Sequence, residues 1–210
     1  MRSHFGLCLV FVAVAALAGC GSKPPLVSLS DTWPSQLPDP DDYGDVTDTW
    51  TRRQSLAGQY QEVLELAATF KSPEWRAVHA ARDIEYRKLN GAARDQVFSM
   101  AHAEMSGPYE IELLVTTWDR RENDLDRGKK SVWRVVLVDE QGNEIEPLEI
   151  VKDKRPTFTI RADFPAYGDF ATAYIARFPR STPLLGPNAK LLRLRMSGTR
   201  GGVELAWSAQ

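Results

Sequence analysis

The chain is poor in the residues that carry most enzyme chemistry. Its two cysteines, Cys8 and Cys20, both fall at the start, so residues 21–210 contain none. That stretch is denied a disulfide, a thiolate zinc site and a cysteine nucleophile, and its fold must be held by its core. Histidine is scarce too: His4, His79 and His102 are the three in 210 residues. Gly-x-Ser-x-Gly, His-Glu-x-x-His and a phosphate-cradling loop are all missing. Gly198-Thr199-Arg200-Gly201-Gly202 sits between two strand candidates rather than ahead of a helix. The charges nearly cancel, at −2 overall. Without clustered cations the composition argues against nucleic acid as a partner. No apolar run beyond residue 20 is long enough to cross a bilayer, which takes about 20 residues.

What is present begins at the amino terminus. Met1-Arg2-Ser3-His4 carries a positive charge, Phe5 to Ala16 is almost unbroken apolar sequence, and small residues follow. Charged start, short apolar core and small exit residues make a secretory signal over residues 1–19. Its ending, Leu17-Ala18-Gly19-Cys20, resembles the lipobox of bacterial lipoproteins at all four positions. The resemblance implies cleavage before Cys20, lipidation of its thiol (palmitate-type acyl chains) and attachment to a membrane. Gly21 in place of an acidic residue implies the outer membrane rather than the inner one. The resemblance covers only these first residues.

Residues 20–47 read as a tether. Pro24, Pro25, Pro34, Pro38 and Pro40 break helices, and Asp39, Asp41, Asp42 and Asp45 keep the segment solvated. Trp33 and Tyr43 are expected to dock on the protein's own surface. A helical segment of two to three helices is expected over 48–107. The first is expected from 48 or 49 to 70, on the stripe Leu56, Tyr60, Val63, Ala67, Phe70. The second starts at Ser72-Pro73-Glu74 and stops near Asn90-Gly91. The third runs from 92 to 105. From Tyr109 the period becomes two, with seven strand candidates at 109–118, 131–138, 144–151, 157–163, 170–178, 190–197 and 203–208. The expected fold class is therefore α+β: helices first, then a seven-stranded antiparallel immunoglobulin-like β-sandwich over 108–210.

Tests for chemistry return little. His79 lies four residues before Asp83 on one helical face, but no serine or cysteine motif completes a nucleophilic site. His102 and Glu104 diverge at a spacing of two. Asp124-Leu125-Asp126-Arg127-Gly128 looks like part of a calcium loop. The closing glutamate is absent, however, and five cations crowd the loop, so it reads as a solvated connection. No catalytic residue, metal ligand or cofactor is assigned. Binding candidates are aromatic or long side chains at strand ends and loops: Trp118, Tyr167 in the loop 164–169, and Arg180 and Leu184 in the connection 179–188. Trp207, alternating with Val203 and Leu205, is expected in the core.

The function expected is that of a lipid-anchored, non-catalytic envelope protein that binds another envelope protein or scaffolds an assembly. A glycan- or cell-wall-binding lipoprotein is the alternative, favoured if Trp118 and Tyr167 share an exposed face. An envelope hydrolase ranks third and needs two carboxylates in one cleft, one of them with a raised pKa.

Overall fold

A computed structural model describes residues 23–59 and 61–209. The signal segment, the Leu17–Cys20 motif and the lipidation expected at Cys20 lie outside the described residues. The chain is mixed α and β, with two antiparallel sheets. The first contains β1 (Thr51–Ala57), β2 (Glu62–Phe70), β3 (Tyr109–Thr117), β6 (Glu149–Lys152) and β7 (Thr172–Phe178), in the order β1-β2-β3-β7-β6. The second contains β4 (Trp133–Val138), β5 (Glu144–Ile145), β8 (Leu191–Gly198) and β9 (Gly201–Ser208), in the order β5-β4-β8-β9. The α-helices among the described residues are α1 (Tyr43–Trp50), α2 (Pro73–Tyr86), α3 (Gly91–Ala103) and α4 (Thr157–Asp163), with short 3-10 stretches between elements such as Leu125–Lys130.

Side chains alternate across a strand, so each register defines a face. Leu64, Leu66, Ala68 and Phe70 of β2 line up with Thr117, Val115, Leu113 and Ile111 of β3. Beside them on β7 stand Tyr174, Ala176 and Phe178. The second sheet contributes Leu137, Leu194, Met196, Leu205 and Trp207 to the same buried cluster. Trp207 ties the sheets together: its ring lies 6.1 Å from Phe70, and its indole N–H donates to the Trp50 carbonyl at 2.9 Å.

Several expectations fail for identifiable reasons. The helix expected to reach residue 70 stops at Trp50, and Thr51–Ala57 and Glu62–Phe70 pair as the β1–β2 hairpin; Tyr60 of the expected stripe lies outside the described residues. β2 is covered on both sides, with Val63, Leu64 and Leu66 through Phe70 all buried. A run that is apolar on both faces satisfies a helical stripe as readily as a strand. The Gly58 amide donates to the Gln61 carbonyl at 2.7 Å to close the hairpin. A Cβ at Gly58 would stand 3.0 Å from Val63 Cγ2. The candidate strand 144–151 is cut by Pro147 into β5 and β6, which belong to different sheets; proline removes a ladder donor and turns the chain. Residues 157–163 are helix, not strand: the Pro156 carbonyl accepts from the Thr159 and Ile160 amides, and Ile160, Asp163 and Phe164 are buried at helical spacing. The boundary expected at 107/108 falls inside one sheet, because β2 pairs with β3.

The tether is also revised. Val27 and Leu29 are buried, the Val27 amide donates to the Ser208 carbonyl at 2.9 Å, and Leu29 accepts from the Gly186 amide at 2.8 Å. Arg52 holds this arm. Its buried guanidinium donates to the carbonyls of Pro25, Thr49 and Ala206 at 2.7 Å each and of Thr51 at 3.0 Å. Further along, Trp33 stacks on His102 with ring centres 5.1 Å apart, and Tyr43 is buried. Those last two do dock on the protein's own surface.

Candidate functional site

Two concave regions lie on the first sheet and the helices against it. The first is a cleft of about 530 Å³ between α2, α3 and the sheet, lined by Lys71, Arg76, His79, Asp83, Glu104, Glu110 and Arg155 among others. Beside it runs a charge network carried by the alternate face of β3, where Glu110 and Glu112 point away from the core shared by the two sheets. Lys71 Nζ lies 3.1 Å from Glu112 Oε2, at an angle that leaves neither carboxyl oxygen of Glu112 hydrogen-bonded. Arg155 pairs with Asp153 and with Asp163 at 2.6 Å each. Arg82 also pairs with Asp163, and His79 Nε2 stands 3.7 Å from it. His79 thus faces Asp163, while its ring stacks on Trp75 at 4.9 Å.

Electrostatics divides these carboxyls. Burial drives Glu112 up to about 7, helped by Asp153 and opposed by Lys71 and Arg155. Burial also acts to raise Asp163, but His79 and Arg82 outweigh it and hold that carboxyl down at about 2. One high and one low carboxyl is the pattern of an acid–base pair. A general acid must, however, touch the atom it protonates. Glu112 has no exposed surface and does not line the cleft, whose nearby wall is made by Lys71 and Arg155.

The second region is an open groove of about 930 Å³ at the far end of β2, β3 and β7. Trp118 continues β3 by one residue, its amide donating to the Val63 carbonyl at 3.2 Å. Phe170 stands just ahead of β7, where the Ala171 amide donates to the Gly168 carbonyl at 3.2 Å. Both rings line the groove and both are open to solvent, Trp118 at 67% and Phe170 at 75%. Around them are Glu62, Glu65 and Asp169 against Arg120 and Lys152, with the hydroxyls of Thr116, Thr117 and Thr172. Asn123 is committed to the fold: its amide donates to the Val115 carbonyl at 2.8 Å and its Oδ1 accepts from Tyr174 at 2.9 Å.

Of the binding candidates named from sequence, the structure leaves one exposed. Trp118 is on the groove. Tyr167 is half-buried away from it, with Arg161 5.9 Å over its ring, so Trp118 and Tyr167 do not share that surface. Arg180 donates to the Gly107 carbonyl at 2.7 Å and covers the Tyr109 ring at 4.4 Å, which makes it a packing residue. Leu184 and Leu185 are buried, so no leucine patch is offered there, and the Leu184 amide donates to the Tyr109 hydroxyl at 3.2 Å. Trp207 is in the core. Asp124 is taken by its own loop, accepting from the Ser131 hydroxyl at 2.8 Å and the Val132 amide at 3.2 Å. Phe170 was missed. Its alternation with Thr172 and Tyr174 reads as strand, although Gly168-Asp169 just before it marks a turn.

No protein-family model and no curated protein matches the chain. A solved structure described as a novel protein of unknown function from Burkholderia pseudomallei is similar at 13% identity, covering 83% of this chain and 91% of that one, with a TM-score of 0.35. A likeness at that distance carries neither fold nor function.

Proposed function

We propose that this chain is a lipid-anchored, non-catalytic binding protein of a bacterial envelope, at the outer membrane, that engages another envelope protein through the groove rimmed by Trp118 and Phe170. The observation that carries the reading is the pairing of two large rings, both mostly exposed, on one groove at the ends of rigid strands. Aromatic anchors of this kind supply most of the binding energy of protein interfaces. The Leu17-Ala18-Gly19-Cys20 motif supports the anchor, and Gly21 supports the outer membrane. The architecture is read as a variant of an immunoglobulin-like sandwich. Taking β3 to β9 as strands A to G, the orders A-E-D and F-G are kept, while β4 joins the opposite sheet.

A photo-crosslinking amino acid at position 170, in intact cells, tests the binding surface. One or two discrete envelope-protein adducts are expected there and none from position 85, an exposed site on α2. Equal adducts from both positions, or none from 170, would refute it. A second reading, binding of a glycan, draws on the threonine hydroxyls and nearly balanced charges beside the rings. Retention on isolated cell wall that is lost in Trp118→Ala would put it first.

A further inference from the structure

We infer that the domain is held end-on at the membrane that carries its lipid, with the Arg52 end of the strands towards the bilayer and the Trp118–Phe170 groove at the opposite end. The inference rests on the lipid-anchor reading and on three observations about the arm and the strands.

The first is how little chain is left to act as a tether. Arg52 grips the Pro25 carbonyl, and Val27 forms a parallel bridge with Ala209. Between Cys20 and Pro25 there remain only Gly21, Ser22, Lys23 and Pro24. Five residue steps span at most about 18 Å when fully extended. A free tether from 20 to 47 would span about 80 Å in a proline-rich conformation and would allow any orientation. The docked arm removes that freedom.

The second is the direction of the strands. Arg52 opens β1, and its side chain reaches Ala206 near the close of β9. Thr51 pairs with Thr69 and Phe70 with Ile111, so this end of the first sheet is also the Tyr109–Phe178 end. Leu64 pairs with Thr117 and Val115 with Thr172 at the other end, where Trp118 and Phe170 lie. Leu56 packs beside Gly201, so β9 runs the same length beside β1 in the opposite sense. The nine residues of β3 separate the two ends by about 27 Å.

The third is the surface at the arm. Lys23, Pro24, Pro25 and Leu26 are all exposed, Leu26 at 54%. A cation three residues and an apolar side chain six residues after a lipidated residue suit the headgroup layer, where leucine reaches the acyl boundary and lysine the phosphates. A membrane surface is therefore the occupant of this end, and the groove is presented outward to whatever the protein binds.

The test uses the lipidated protein in vesicles containing lipids with a headgroup spin label, a short-range quencher. With Cys20 acylated, an introduced cysteine is the only accessible thiol for a dye. Lys190→Cys marks the arm end, where the Lys190 carbonyl accepts from the Ala209 amide; Thr199→Cys marks the β8–β9 turn at the other end. Loss of emission is expected at 190 and little change at 199. A flexible insert of about 20 residues between Lys23 and Pro24 leaves every docked residue in place and should abolish the contrast. Equal quenching at both sites without the insert overturns the inference while leaving the anchor intact. Failure of the wild type to take up acyl label overturns both.

Discussion

The sharpest energetic consequence of the structure concerns Glu112. Its carboxyl is sealed between β2 and β7 with Lys71 Nζ 3.1 Å away, and burial drives it up to about 7. In the unfolded chain it titrates at its ordinary 4.5. The folded protein thus holds this proton more tightly than the unfolded one. The stabilisation it brings is complete below pH 4.5, declines between pH 4.5 and 7, and is gone above pH 7. At 1.36 kcal/mol per pH unit, that interval corresponds to about 3 kcal/mol. Glu112→Gln keeps the shape and stays neutral throughout, and Glu110 remains 3.8 Å from Lys71 as a partner for its charge. The variant's stability relative to wild type should therefore rise by about 3 kcal/mol between pH 4 and pH 8, then level off. For a chain of this size that is roughly 6–12 °C in unfolding temperature. Titrating groups remote from Glu112 are common to both proteins and drop out of the difference, while Asp153, which interacts with Glu112, titrates together with it. Urea titrations of the two at pH 4, 5, 6, 7 and 8 measure it directly. Parallel curves across that range would refute the reasoning, because they would mean that Lys71 and Arg155 fully offset the burial of the charge.

Asp163 carries the opposite sign. With its carboxyl held at about 2 against an ordinary 3.8, Asp163→Asn should cost about 2 kcal/mol at pH 7, and the gap should close as pH falls through 3.8 towards 2, read by the same titrations. Deleting residues 23–30 should lower stability by about 4 kcal/mol through the loss of buried Val27 and Leu29; an unchanged urea midpoint would mean that the arm is not docked. Trp118→Ala and Phe170→Ala remove exposed side chains and should each shift stability by less than about 0.5 kcal/mol, and Trp118→Ala should abolish the adducts crosslinked from position 170. Cys20→Ser should leave the membrane fraction and lose acyl label.

Local chemistry decided which parts of this structure were legible. α2 was readable because its start is written in three adjacent residues: Ser72 Oγ accepts from the Trp75 amide at 3.1 Å, and Pro73 opens the helix. β8 and β9 were readable because Leu192, Leu194 and Met196 alternate against Val203, Leu205 and Trp207 around a turn with Gly201 at φ 123°. The charge network beside the cleft was not, since Lys71, His79, Glu112, Arg155 and Asp163 come from five separate segments and meet only when α2 and α4 close over β3. The groove was half legible, through Trp118 alone.

The arm shows most clearly what a linear pattern hides. Arg52 and Arg53 are adjacent and chemically identical, and either suits a solvated edge strand. Yet Arg53 is exposed, while Arg52 is 4% exposed and makes all its side-chain hydrogen bonds to backbone carbonyls. Carbonyl acceptors have no side-chain signature, so nothing in residues 23–30 announces that they are gripped. A buried guanidinium must find acceptors or pay heavily for desolvation, and burial lowers the pKa of this one to about 10. The Pro25 carbonyl supplies one of the four it needs. The arm is therefore part of the solution to burying Arg52, and the same contact that completes the core leaves only four residues between Pro25 and Cys20.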